Sequence, residues 1–205
     1  ATNGTSPTPV TLGTFSPSGG NYNIKVWTSA PNASTDGNPN NDTAYKTLGQ
    51  GLSGTYTIGG GGNYNTFTDA VNDLKNKGLC GAVVFNVSNG TYSEQISIGA
   101  IQNVSSSNTI TFQSKNGDSS KVILTYPSSL TGNGNYVVDM NGTSYITFRK
   151  ITISRTGNSG NGVVFYIHGG SSYNTITHCQ VIGAKITSTS TQFANIYSPG
   201  DLDNY

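Results

Sequence analysis

The chain has 205 residues, of which 9% are charged and 33% hydrophobic, with 27 glycines and a formal net charge of +1. Its few charges form no runs, so nothing draws nucleic acid or an anionic bilayer to it, and no apolar stretch approaches the ~20 residues that a membrane-spanning helix needs. Gly, Ser, Thr and Asn crowd every gap between apolar pairs, which excludes an ordinary helical enzyme and points to turn-rich all-β structure.

Residues 1–50 stand apart. Val10-Thr-Leu12, Tyr22–Trp27 and Asp42–Leu48 read as strands, with a long polar turn from Pro31 to Asn41. Three strands and a lone Trp27 bury too little to fold alone, so this segment either is the C-terminal part of a β-sandwich module that began upstream, which is the expectation, or leans on the next domain. Within the turn, Asp36, Asn38, Asn40 and Asp42 place side-chain oxygens at alternate positions, as the start of a calcium loop does. The sixth position is Asn41 rather than Gly and the twelfth is Thr47 rather than Glu, so the run is no EF-hand and Asx turns are the plainer reading. Calcium is the one cofactor it would suit.

Gln50 to Asn63, with Gly59-Gly-Gly-Gly62, forms a junction. No Gly-Lys-Ser/Thr follows, so a turn entering the next domain explains the glycines better than a phosphate loop. A helix is expected at 66–78: Phe67, Ala70, Val71 and Leu74 form one apolar stripe, Thr66 and Asp69 a capping box, and Gly78 the stop. Short strands follow at Val83–Val87, Glu94–Ile98, Thr109–Phe112 and Val122–Thr125.

The segment Gly142-Thr-Ser-Tyr-Ile-Thr-Phe-Arg-Lys-Ile-Thr-Ile153 then returns 28 residues later as Gly170-Ser-Ser-Tyr-Asn-Thr-Ile-Thr-His-Cys-Gln-Val181. Upstream, Tyr136–Met140 matches Val163–Ile167 at a spacing of 27, and one extra glycine in Gly169-Gly170 absorbs the difference. A repeat this short can bury its apolar side only by stacking coil on coil. Each unit reads as two short strands joined by a turn, with a corner at Arg149-Lys150 where the alternation of apolar residues shifts parity. Ile151 is expected over Cys179, Ile153 over Val181, and Asn174 in the place of Ile146, where its amide can bond neighbouring backbone. The fold class is all-β, a parallel β-helix over 51–205 whose first coil the 66–78 helix covers, preceded by the partial sandwich of 1–50. Cys80 and Cys179 fall in different coils and are expected to remain free thiols. The chain reads as a piece of a longer protein.

Several segments carry a resemblance. Leu52-Ser-Gly-Thr-Tyr-Thr-Ile-Gly-Gly, Asn63-Tyr-Asn-Thr-Phe-Thr-Asp-Ala-Val, Gly81-Ala-Val-Val-Phe-Asn-Val, Gly90-Thr-Tyr-Ser-Glu-Gln-Ile and Ser144-Tyr-Ile-Thr-Phe-Arg-Lys-Ile-Thr-Ile are similar to the pectin-lyase-like right-handed β-helix of large secreted Bacteroidota surface proteins, over about residues 52–183. Gly20-Asn-Tyr-Asn-Ile-Lys-Val-Trp-Thr-Ser-Ala-Pro-Asn resembles the last strands of the immunoglobulin-like modules that precede such helices. The resemblance implies export through the type IX secretion machinery to the surface of a Gram-negative cell, or release from it. It does not imply an activity, because this solenoid carries both enzymes and inert stalks.

Acid–base cleavage of polysaccharides on such a fold needs clustered carboxylates, or a calcium with an Arg or Lys base. The candidates are Glu94, Asp118, Asp139, Arg149, Lys150, Arg155, His168 and His178. By the repeat, Asp139 neighbours Tyr166 and Asn141 neighbours His168, so Asp139 and His168 are the one pair expected to share a face. No acids recur at one repeat position. The expectation is therefore a structural or adhesive surface module that contacts a glycan or a partner protein, with a polysaccharide lyase or glycoside hydrolase as the alternative.

Overall fold

The computed structural model describes residues 22–27, 43–127, 134–157, 162–184 and 193–199. The chain divides into two compact units, residues 1–50 and 51–205.

In the first unit, strands β1 (Tyr22–Trp27) and β2 (Thr43–Leu48) pair antiparallel, with Tyr22 opposite Leu48 and Trp27 opposite Thr43. Lys25 Nζ sits 5.6 Å from the Trp27 ring and 5.5 Å from the Tyr45 ring, a cation–π clasp on an exposed face where Trp27 is 63% accessible. The strand expected at Val10–Leu12 and the oxygen-rich run of Asp36, Asn38, Asn40 and Asp42 lie outside the described residues.

The second unit is a parallel β-helix. Strand β3 (Leu52–Ile58) precedes helix α1 (Phe67–Lys77), and the coils begin at β4 (Leu79–Val87). Each coil holds three strands rather than the expected two: β4, β5 (Gly90–Ser93) and β6 (Ile96–Ile98) make the first, followed by β7 (Ile110–Ser114), β8 (Val122–Pro127) and β9 (Val138–Asn141). The third coil is β10 (Ile146–Arg149), β11 (Thr152–Thr156) and β12 (Gly162–His168), and the fourth is β13 (Thr175–Thr177), β14 (Gln180–Ile182) and β15 (Phe193–Tyr197). Stacking yields three parallel sheets. Sheet 1 runs β3-β4-β7-β10-β13, sheet 2 β5-β8-β11-β14 and sheet 3 β6-β9-β12-β15.

The segment read as one strand over Glu94–Ile98 is a corner followed by a strand, because Glu94 and Gln95 turn the chain from sheet 2 to sheet 3. The parity shift at Arg149-Lys150 is also a corner, and there Lys150 adopts φ 53°. The extra glycine of the fourth coil falls in the turn after β12. Gly169 has φ 65°, and a Cβ there would lie 2.3 Å from Asn141 Oδ1, so only glycine fits.

Inside, identical side chains stack rung upon rung. Phe85, Phe112 and Phe148 align, with ring centroids 4.8 Å and 5.2 Å apart and nearly parallel planes. Ile153 pairs with Val181, as expected, which puts Ile151 over Cys179. Asn174 replaces Ile146 in its column and bonds backbone there: its Oδ1 accepts from Ile146 N at 3.0 Å and its Nδ2 donates to Thr143 O at 2.9 Å. Both cysteines are free.

The helix covers the beginning of this stack. Phe67, Ala70, Val71 and Leu74 are all buried, and the Phe67 ring lies 5.8 Å from that of Phe112 and edge-on to Tyr92 at 5.2 Å. Thr66 and Asp69 form the capping box, while Gly78, φ 65°, closes the far end by donating its N–H to Leu74 O.

Candidate functional site

Among the described residues, sheet 3 brings one acid–base cluster together. Ser97 on β6, Asp139 on β9 and Tyr166 on β12 are register partners in successive coils, each flanked by inward apolar residues and so facing outward. His168, opposite Asn141, reaches back one rung: its Nε2 lies 2.8 Å from Asp139 Oδ1. The other carboxylate oxygen, Oδ2, accepts from Ser97 Oγ at 2.7 Å. The Tyr166 ring stacks on His168 at 4.2 Å and parallels Tyr197 at 5.8 Å, so aromatic surface covers the imidazole and Asp139 is only 7% exposed.

Tyr136 borders the cluster. Burial foremost, and then the Asp139 charge, push its phenol above the usual tyrosine range, while a hydrogen bond with Ser97 works the other way. The carboxylate stands between hydroxyl and imidazole, which is not the order of a nucleophilic triad, where the imidazole must touch the hydroxyl to take its proton. An ionised carboxylate can only accept, so in this contact the imidazole is the donor.

The remaining candidates disperse. Glu94 belongs to the helix: its carboxylate accepts from Phe67 N at 3.1 Å, Thr68 N at 2.8 Å and Thr68 Oγ1 at 2.6 Å. Asp118 caps the short 3-10 turn Ser119–Lys121, and hydrogen bonds from Ser120 hold its carboxyl below the usual carboxylate range. Arg155 is 3% exposed, and Gly162 packs so closely on its guanidinium that a Cβ would sit 2.0 Å from Cζ. Burial lowers its proton affinity. Arg149 is exposed at the end of β10, and His178 sits at a corner with Nδ1 2.8 Å from Thr177 Oγ1. Among the described residues no three His, Cys, Asp or Glu groups converge as a metal site would require.

Reasoning from the repeat placed Asp139 and His168 on one face but missed Ser97 and Tyr136. Ser97 lies 42 residues before Asp139, across a coil of different length, so the 27- and 28-residue spacings do not reach it. The alternation Ile96-Ser97-Ile98 against Val138-Asp139-Met140 was the available signal.

No family model matches the chain, and no curated protein matches it. Two crystal structures of the pectin methylesterase from Aspergillus niger are similar. The deglycosylated form matches at 14% identity and TM-score 0.39 over 70% of this chain, and the penultimately deglycosylated form at 15% identity and TM-score 0.37 over 67%. This chain spans 64% and 57% of those chains. The β-helix assignment stands on the strand pairing above, and a likeness this distant carries nothing about activity.

Proposed function

We propose that the chain is a non-catalytic β-helix module of a cell-surface or secreted protein, a stalk or adhesin that meets glycans or partner proteins with the ladders on its outer faces. One observation supports this reading best. Every carboxylate among the described residues of the β-helix already serves a protein partner. Asp69 completes the capping box, Asp73 receives Tyr64 Oη and Lys77 Nζ, Glu94 and Asp118 cap helical turns, and Asp139 has one oxygen on Ser97 and the other on His168. Glycoside hydrolysis needs two carboxyl groups set about the scissile bond, and lyase chemistry needs a base beside a cation that steadies the carbanion. A single, doubly bonded carboxylate is arranged to hold a surface in shape.

Export by the type IX machinery, residence on the outer surface of a Gram-negative cell, and an immunoglobulin-like module over 1–50 belong to the same proposal, supported by the resemblances over about residues 52–183 and 20–32. The second reading, a polysaccharide lyase or glycoside hydrolase, draws on the 2.8 Å contact between His168 and Asp139. Incubation with pectin, polygalacturonate and alginate, with and without calcium, separates the two. The expected result is no new reducing ends and no unsaturated products, with intact glycan retained on the immobilised chain. Turnover that disappears in Asp139→Asn or His168→Ala would establish the second reading.

A further inference from the structure

Parallel coils set one residue of each rung over the next, so a residue type that recurs becomes a straight row. On the outer face of sheet 1, next to the phenylalanine column, that row is Thr55, Val84, Thr111, Thr147 and Thr175, register partners on the sheet's five strands. Thr55 and Thr175 are exposed, and the three between them are partly exposed. Val84 has the shape of threonine without its hydroxyl, so the line of methyl groups is unbroken. Threonine favours strands, but that preference does not by itself produce a row. On sheet 2 Thr91 meets Ile123, and on sheet 3 Ser97 meets Asp139 and then Tyr166.

The row is also nearly flat. Adjacent strands ordinarily rotate by roughly 20–25°, whereas the Phe85, Phe112 and Phe148 rings on the inner side of these strands differ by only 16° and 13° from rung to rung. Methyl and hydroxyl groups therefore recur every ~4.8 Å along an almost straight line, close to the shorter oxygen repeat in the faces of hexagonal ice. Such a line meets water in a particular way. Each hydroxyl can donate one hydrogen bond and accept two, while the methyl beside it leaves the neighbouring water to bond only with other water. A disordered liquid gains little from the regularity, but a lattice with a matching repeat is held at several points at once.

We propose that the outer face of sheet 1 is an ice-binding surface, with Thr111 and Thr147 at its centre, each flanked by a rung on either side. The ligand is the crystal lattice of water itself. The next row out marks the border of the site, because there Asn86 Oδ1 accepts from Gln113 Nε2 at 2.9 Å and Arg149 carries a charge that the lattice would not accommodate. This inference does not depend on the glycan-binding reading. It adds a second activity to a surface module and lies apart from the Asp139–His168 cluster, which belongs to sheet 3.

Slow growth of ice from a solution that holds the full chain together with serum albumin would measure incorporation into the crystal. The chain should be enriched in the ice relative to albumin and should slow the coarsening of ice grains held just below freezing. Thr111→Lys and Thr147→Lys each place a charged head in the middle of the row and should abolish the enrichment while leaving Tm unchanged. Thr147→Val keeps the shape and should retain most of it, and Thr91→Lys on sheet 2 should behave as the parent chain does. Should a lysine variant not fold, Thr111→Gln, longer but uncharged, gives the same test. Enrichment no greater than that of albumin would overturn the proposal. So would enrichment that survives both lysine variants, or that is lost equally in Thr91→Lys.

Discussion

Glu94 holds the amino end of α1 from 26 residues away, accepting Thr68 N at 2.8 Å and Thr68 Oγ1 at 2.6 Å from its corner between sheets 2 and 3. A carboxylate at a helix N-terminus satisfies amides that have no partner within the helix and meets the positive end of its dipole. The capping helix is thereby fastened to the first coil by polar bonds as well as by Phe67. Glu94→Ala should cost about 1–3 kcal/mol, and Glu94→Gln, which keeps one acceptor, should cost less. Urea unfolding would measure both. Hydrogen exchange should show α1 losing protection before sheet 1, and unchanged exchange in α1 would contradict the clasp.

The phenylalanine column is the second test. Phe112 lies between Phe85 and Phe148 and also faces Phe67, so its ring joins three coils to the helix. Phe112→Ala should cost ~3–5 kcal/mol, and Phe112→Leu distinctly less, because Leu fills most of the space. A urea midpoint for Phe112→Ala close to that of the parent would mean that the stack is not continuous.

Neither cysteine should be oxidised. Cys80 lies in the first coil and Cys179 in the fourth, three rungs or ~14 Å apart along the stack, whereas a disulfide needs Cα atoms within about 7 Å. Alkylation in denaturant without reductant should modify both thiols by intact mass. In the native protein Cys80, which is exposed and bonded to Gly51 O at 2.9 Å, should react first. Burial pushes the Cys179 thiol upward and lowers its thiolate fraction at neutral pH. Faster labelling of Cys179 would refute this order.

Alkali should loosen the β-helix through three tyrosines. Burial is the largest cause raising the phenols of Tyr64, Tyr92 and Tyr136, aided by the charges of Asp73, Glu94 and Asp139 respectively. A folded value above the unfolded one, about 10, means that the contribution is fully present below that pH and is lost as pH rises toward the folded values. Tm should therefore stay level to about pH 9 and fall above about pH 10, with tyrosinate absorbance appearing together with unfolding. Free titration of all tyrosines in the folded protein would exclude the mechanism.

The coil repeat itself was legible in the residues, and with it the stacking of Ile153 on Val181, the corner at Lys150, the backbone-bonding Asn174, and the capping helix with both its ends. Parallel coils pair residue to residue, so where two coils have nearly equal length the repeat spacing is already a contact map. That is why the spacing alone puts Asp139 and His168 on one face. The third sheet was not legible, because the corner between β5 and β6 spans only Glu94 and Gln95 and leaves the polar–apolar pattern nearly continuous. Nor were the partners of Glu94 and Asp139. Glu94 meets a helix outside the repeat, and Ser97 reaches Asp139 across coils whose loops differ in length. Loop length is free to vary at the surface at little entropic cost, so spacing in the chain stops predicting neighbours there, and only the folded stack decides which side chains meet.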